Sequence, residues 1–244
     1  MNTPTSDRLD AYFDHLKAVS PPSLRLWIAE DEVAFIAAAE DALLDAIVKM
    51  EKGARLYAQD DERKLSFTLV QLMSSASVPA VAEGYHNGHV DVAITHPAER
   101  PFIMLGECKR FDGFQYHCDG CSQLLVRYSS GRASRTFCLE FFQVRGMYAK
   151  LEGLQRDFNR NHPHKQKGAA TAHRIKGAFL TTHGHDSGSD VEVLHLGCNL
   201  YHAEAKALTG GEKNTGSPEG PSERAESPVV TECVSVRPVP ESQG

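Results

Sequence analysis

No stretch of this sequence approaches the roughly 20 apolar residues needed to cross a bilayer. Residues 1–14 are polar and acidic, without the basic start and apolar run of a secretory signal. Cysteine is scarce and unpatterned: six residues, at 108, 118, 121, 138, 198 and 233, do not make a disulfide framework in a chain of 244 residues. Reduced thiols, a cytoplasmic location and no membrane partner are the expectation. An excess of positive charge is also missing. The 26 Lys and Arg against 32 Asp and Glu leave a net charge of −6, which argues against a protein that coats nucleic acid non-specifically. It leaves room for a local basic groove beside an acidic site. The chain has no glycine-rich phosphate loop ending in Gly-Lys-Ser/Thr, hence no nucleotide motor of its own. It also has no helix-turn-helix, no zinc module and no internal repeat. Any target choice must come from loops, a homodimer or an activating partner protein.

What is present is ordinary globular material, 41% hydrophobic and 24% charged, enough for one domain with extensions. Pro21-Pro22 limits the leading segment to a short helix over residues 8–19. From 30 to 52 apolar residues recur at helical spacing, with acids in front and lysines near the end, as the helix dipole prefers. A second helix is expected over 60–74, capped by Asp60 or Asp61. The period then changes. Runs at 78–83, 90–95 and 102–107 suit strands, with turns at 86–88 and 96–98. A helix over 118–130, a strand over 136–144, a helix over 148–161 and strands over 174–182 and 191–200 follow. This order predicts an α/β fold with a mixed central sheet flanked by helices. Three parts are expected: an N-terminal helical extension at 1–55, a main domain at 56–205, and a disordered tail at 206–244, rich in Gly, Ser, Pro and Glu.

One constellation carries chemistry. Asp91 lies in an apolar strand, and Glu107 and Lys109 close the next one. Residues two apart in a strand share a face, so Glu107 and Lys109 point together and Cys108 points away. Two adjacent strands then assemble two carboxylates and an ammonium. The carboxylates are the hard oxygen ligands that Mg²⁺ prefers. The lysine can orient or deprotonate a water, or stabilise charge on a phosphorane-like transition state. An isolated Glu-x-Lys is a common surface ion pair; the apolar strands, the linking turn and the helix with Gln123 and Tyr128 behind them make this one specific.

Residues 60–145, extending toward 202, resemble the core of the PD-(D/E)XK superfamily, the restriction-endonuclease-like nucleases. Such proteins carry an Asp on one strand, a (Glu/Asp)-x-Lys on the next and often a Gln in the helix behind. The resemblance implies Mg²⁺- (or Mn²⁺-) dependent hydrolysis of phosphodiester bonds, usually in DNA. Asp91 and Glu107 would ligate the metal, Lys109 would serve the attacking water, and Gln123 would position water or phosphate. An acidic residue on the preceding helix often joins, and Glu62 fits that place, with Glu83 as competitor. The chain departs from the motif in having Val90 rather than Pro before Asp91. A defence or repair nuclease is an inference from fold analogy alone. The rival reading is a catalytically silent protein of the same fold that binds nucleic acid or protein.

The remaining signals are weaker. Between 145 and 176 eight Lys and Arg face two acids, a local balance of +6; Lys165 and Lys167, with Arg127 and Arg132, are candidate phosphate contacts. Residues 29–62 hold ten acids and three bases and are expected to face a partner rather than DNA. Cys118-x-x-Cys121 lacks a second paired motif, so packing is preferred over zinc even with His117 adjacent. His183-Gly184-His185-Asp186 resembles the metal motif of metallo-β-lactamases, but Ser187-Gly188 stands where that family needs Asp-His. A polar turn is the better reading, and a zinc hydrolase built on these histidines is disfavoured.

Overall fold

The structure is a computed structural model, which describes residues 4–85 and 89–204. The turn expected at 86–88 and the tail expected at 206–244 lie outside the described residues. The described residues belong to one compact unit. The elements are α1 (Pro4–Val19), α2 (Pro21–Ile28), α3 (Glu32–Lys52), α4 (Ala54–Tyr57), α5 (Glu62–Ser75), β1 (Ala80–Tyr85), β2 (His89–Thr95), β3 (Ile103–Arg110), α6 (Phe114–Ser122), β4 (Arg135–Phe142), α7 (Met147–Asn161), β5 (Thr171–Ala172), β6 (Phe179–Gly184) and β7 (Asp190–Asn199). A π-helical segment, Gln123–Tyr128, continues α6.

Local chemistry accounts for most boundaries. Asp31 caps α3 by accepting from the Ala34 amide at 2.8 Å, and Asp61 does the same for α5 through Lys64. Lys49 and Lys52 occupy the last turn of α3, and Gly53 ends it. Pro21 and Pro22 do not break the leader into a loop: they occupy the first positions of α2, where a missing amide costs nothing. Helix α6 begins four residues before the expected start, because Phe114 and His117 pack inward one turn apart. Strand β6 begins five residues later than expected, since residues 175–178 close a turn from the Ala178 amide to the Ile175 carbonyl.

The sheet has seven strands in the order β1-β2-β3-β4-β7-β6-β5. The pairs β1–β2 and β2–β3 are antiparallel, β3–β4 and β4–β7 parallel, and β7–β6 and β6–β5 antiparallel. The predicted mixed α/β sheet flanked by helices is what forms. Central strand β4 is buried on both sides and splits its residues between them. Phe137, Leu139 and Phe141 face α3 and α5, while Cys138 and Phe142 face α6 and α7. Helix α3 is part of this core: Phe35, Leu43 and Ile47 share it with Leu65, Leu69 and Leu194.

The acids of 29–62 are mostly engaged inside the chain. Glu40 meets Arg135, His173 and Arg174, and Asp41 meets Arg25 and Arg174. Glu32 accepts the Ser134 amide and Glu51 the Asn199 amide. Among the described residues five cysteines are buried and unpaired, and no helix is long and apolar enough to cross a membrane.

Candidate active site

The ladder between β2 and β3 ends with Val92 opposite Gly106, and beyond that pair the strands part. Only glycine fits at 106, because a Cβ there would lie 2.0 Å from the Phe137 ring. In place of the ladder, the Asp91 carboxylate accepts the Cys108 amide at 2.9 Å. A side chain thus satisfies a backbone donor that the separating strands leave behind. The split opens the sheet where Glu107 and Lys109 project from β3.

Glu107 is 3% exposed and Lys109 7%. The Lys109 Nζ donates to Glu107 Oε1 at 2.6 Å and to Glu62 Oε1 at 3.4 Å. Glu62, one residue after the α5 cap, also accepts the Arg110 amide at 2.9 Å and the Tyr116 hydroxyl at 3.0 Å. Its place in the first turn of α5 therefore brings it to the end of β3. The lysine also lies over the Tyr116 ring, 5.5 Å from its centroid. Glu62, Asp91, Glu107 and Lys109 are one cluster. Glu83 belongs to β1, and its side chain lies outside the described residues.

Electrostatically the cluster is short of positive charge. Burial first, and then the Asp91 charge, push the Glu107 carboxyl up to about 7 against the pull of Lys109. Burial lowers Lys109, but its hydrogen bond and charge contact with Glu107 outweigh this and hold the ammonium protonated. Glu107 Oε2 is buried with no hydrogen-bond partner. An orphaned carboxylate oxygen beside a second carboxylate is a donor set that a divalent cation fits: it would supply the missing partner and offset the repulsion. Glu62 and Asp91 reach a cleft of about 670 Å³, whose walls also include Arg63, Lys64, Ser66 and Phe67.

The following helix is shaped to this cluster. Gly120 of α6 lies directly above it, and a Cβ there would sit 3.2 Å from Lys109 Cγ and Cε and 3.4 Å from Glu107 Cγ. Gln123 opens the π-helical segment, with its Oε1 buried and unpartnered. That segment packs on β2 and β3, and π turns inside helices occur frequently at functional sites. Tyr128 closes it within electrostatic reach of Glu107 and Asp91; burial first and then the Glu107 charge raise its phenol.

The proposed phosphate contacts are placed differently. Arg127 is exposed beside Tyr128. Arg132 precedes β4 at the end of the sheet where Arg135 pairs with Glu192, whereas Lys109 is level with Glu140. Five strand residues separate those levels, about 16 Å. Lys165 and Lys167 are paired with Asp186 and Asp190 near that same far end. The structure does not bring these three to the carboxylate cluster. Arg63 and Lys64, just past the acidic region 29–62 that was expected to face a partner, line the cleft instead. Tyr116 and Gly120 had no sequence signal, since their roles arise only from where α6 crosses β3.

No family model matches the chain, and comparisons with curated proteins and with solved structures give no match.

Proposed function

We propose that the chain is a metal-dependent nuclease with a restriction-endonuclease-like core, hydrolysing phosphodiester bonds, with DNA as its substrate. The observation that supports this reading best is the buried cluster itself: three carboxylates around one lysine, with an unpartnered Glu107 oxygen, where two strands part beside a cleft. A structural ion pair needs neither the third acid nor the burial and Asp91 repulsion that together raise Glu107.

In this reading Asp91, Glu107 and Glu62 hold Mg²⁺ (or Mn²⁺), which supplies a Lewis acid and an activated water when bound. Lys109, held protonated by Glu107, acts as a charge donor toward the phosphate rather than as the first proton acceptor. Gln123 offers an unused amide oxygen to orient a water. Arg63 and Lys64 line the cleft where a phosphate backbone would run, so they replace Lys165 and Lys167 as the first basic contacts.

The test is incubation of the purified protein with plasmid DNA, single-stranded DNA and RNA under Mg²⁺, Mn²⁺ or EDTA, alongside Asp91→Asn. Metal-dependent DNA cleavage that Asp91→Asn abolishes supports the reading. Cleavage undiminished by EDTA or by Asp91→Asn refutes it. Binding of DNA without cleavage under any metal favours the catalytically silent rival.

A further inference from the structure

On the α6–α7 side of the sheet lies a second polar cluster that the proposed reaction does not use. His117 and Cys121 of α6, Cys138 and Glu140 of β4, Thr181 and His183 of β6, and His195 of β7 are all at most 1% exposed. Burying so many polar groups is costly unless each has a partner, and their hydrogen-bond directions can be worked out from one end.

The His164 carbonyl only accepts, so His183 Nδ1 donates to it at 3.1 Å. Burial keeps the His183 ring neutral at ordinary pH, lowering its pKa to about 4, so its Nε2 accepts from the Thr181 hydroxyl at 2.7 Å. The Thr181 oxygen then accepts from His195 Nε2, also at 2.7 Å. That leaves His195 Nδ1 as a bare lone pair, aimed at His117 Nε2 at 2.8 Å. At the other end, Glu140 Oε1 accepts from His117 Nδ1 at 2.7 Å. Against burial, the neighbouring Cys138 and Glu140 raise His117 to about 10, so its Nε2 proton can donate to His195 Nδ1; a metal ion bound there would displace that proton. Around the same point stand two thiols: Cys121 Sγ lies 3.9 Å from His195 Nδ1, and Cys138 Sγ 3.6 Å from His117 Nδ1. A His117 ring nitrogen and both sulfurs lie within 4.8 Å of one another.

We propose that His117, Cys121, Cys138 and His195 form a buried structural Zn²⁺ site that clamps α6 onto β4 and β7. A tetrahedral zinc with ligands at about 2.0–2.3 Å spaces its donor atoms by roughly 3.3–3.8 Å. The distance from Cys121 Sγ to His195 Nδ1 is already near this, and the two ring nitrogens need to open by a fraction of an ångström. Both histidines carry the outer hydrogen bond that metal-bound imidazoles use, one to a carboxylate and one to a hydroxyl. Two thiolates with two imidazoles select zinc over Mg²⁺, so this centre and the carboxylate cluster differ in kind. The ligand pair on α6 is His117 and Cys121, one helical turn apart; Cys118 instead meets His164 Nε2 at 3.0 Å. The proposal stands independently of what the carboxylate cluster does.

Elemental analysis of the full chain, purified reduced and without chelator, is expected to give one zinc per chain. Co²⁺ titrated into chelator-stripped protein is expected to show thiolate-to-cobalt charge transfer in the near ultraviolet with the visible bands of a tetrahedral site. Cys121→Ser and Cys138→Ser are each expected to lose most of the bound metal, and Cys118→Ser to keep it. Absence of zinc together with absence of the cobalt charge-transfer band in the wild-type chain overturns the site. So does full metal retention by Cys121→Ser and Cys138→Ser. If those two variants fail to fold, the wild-type cobalt spectrum decides alone.

Discussion

At the scale of residues, Glu107 is the most informative position. Its carboxyl is raised in the folded chain to about 7, so its contribution to stability is fully present below the unfolded value near 4.5 and is lost as pH rises through 7. A shift of this size is worth roughly 3 kcal/mol. Urea unfolding in EDTA is therefore expected to show the wild type weakening between pH 4.5 and 7.5, while Glu107→Gln stays flat and Mg²⁺ restores wild-type stability at the alkaline end. Parallel pH profiles for the two proteins would contradict this. Gly120→Ala tests positioning. Helix propensity gains about 1 kcal/mol, while the new methyl crowds Lys109 and Glu107. We expect a melting temperature within a few degrees of wild type and cleavage reduced about tenfold, since small misplacements of reacting groups are expensive. Asp91, Glu107 and Lys109 were legible in the sequence because period-two strands fix which residues share a face. Glu62 was legible as a first-turn acid. Tyr116 was not, because nothing in its neighbourhood encodes that α6 carries its hydroxyl to Glu62.

At the scale of elements, the continuation of α6 into a π-helical turn is where sequence reading ran short. An apolar pattern over 118–130 specifies a helix but not that one turn widens. The widened turn leaves Gln123 Oε1 buried without a partner, and an unsatisfied buried acceptor costs about 1–3 kcal/mol. Gln123→Leu is accordingly expected to raise unfolding stability by about 1 kcal/mol while lowering cleavage, measured by chemical denaturation and initial rates on one preparation. Loss of stability with unchanged cleavage would instead make Gln123 a packing residue. The zinc ligands show the same gap between pattern and contact. A search for paired Cys-x-x-Cys motifs finds Cys118 and Cys121 with His117 adjacent but not the proposed set, because Cys138 and His195 come from strands that only the sheet order makes neighbours of α6.

At the scale of the whole molecule, order and type of the longer elements were readable from the switch between helical and strand periods, while the short α2, α4 and β5 were not. The sheet order was not, since parallel pairing of β4 with β7 joins segments more than 50 residues apart. Nor was the internal use of the acidic helices. Glu40, 2% exposed, ties α3 to Arg135 of β4 and to His173 and Arg174. Burial raises its carboxyl, but bonds from His173 and Arg135 outweigh that and leave it below the usual carboxylate range. The stability it supplies is present above about pH 4.5 and disappears as pH falls through its lowered folded value. Glu40→Gln is expected to cost about 3 kcal/mol at pH 7 and to blunt acid unfolding, as followed by circular dichroism; an unchanged acid midpoint would remove Glu40 from the account. The measurement that bears most directly on the central claim is the initial rate of DNA cleavage at saturating Mg²⁺ for wild type and Lys109→Met. The account predicts a fall of at least about a hundredfold in a variant that remains folded by near-ultraviolet circular dichroism. Equal rates in the two proteins would contradict it.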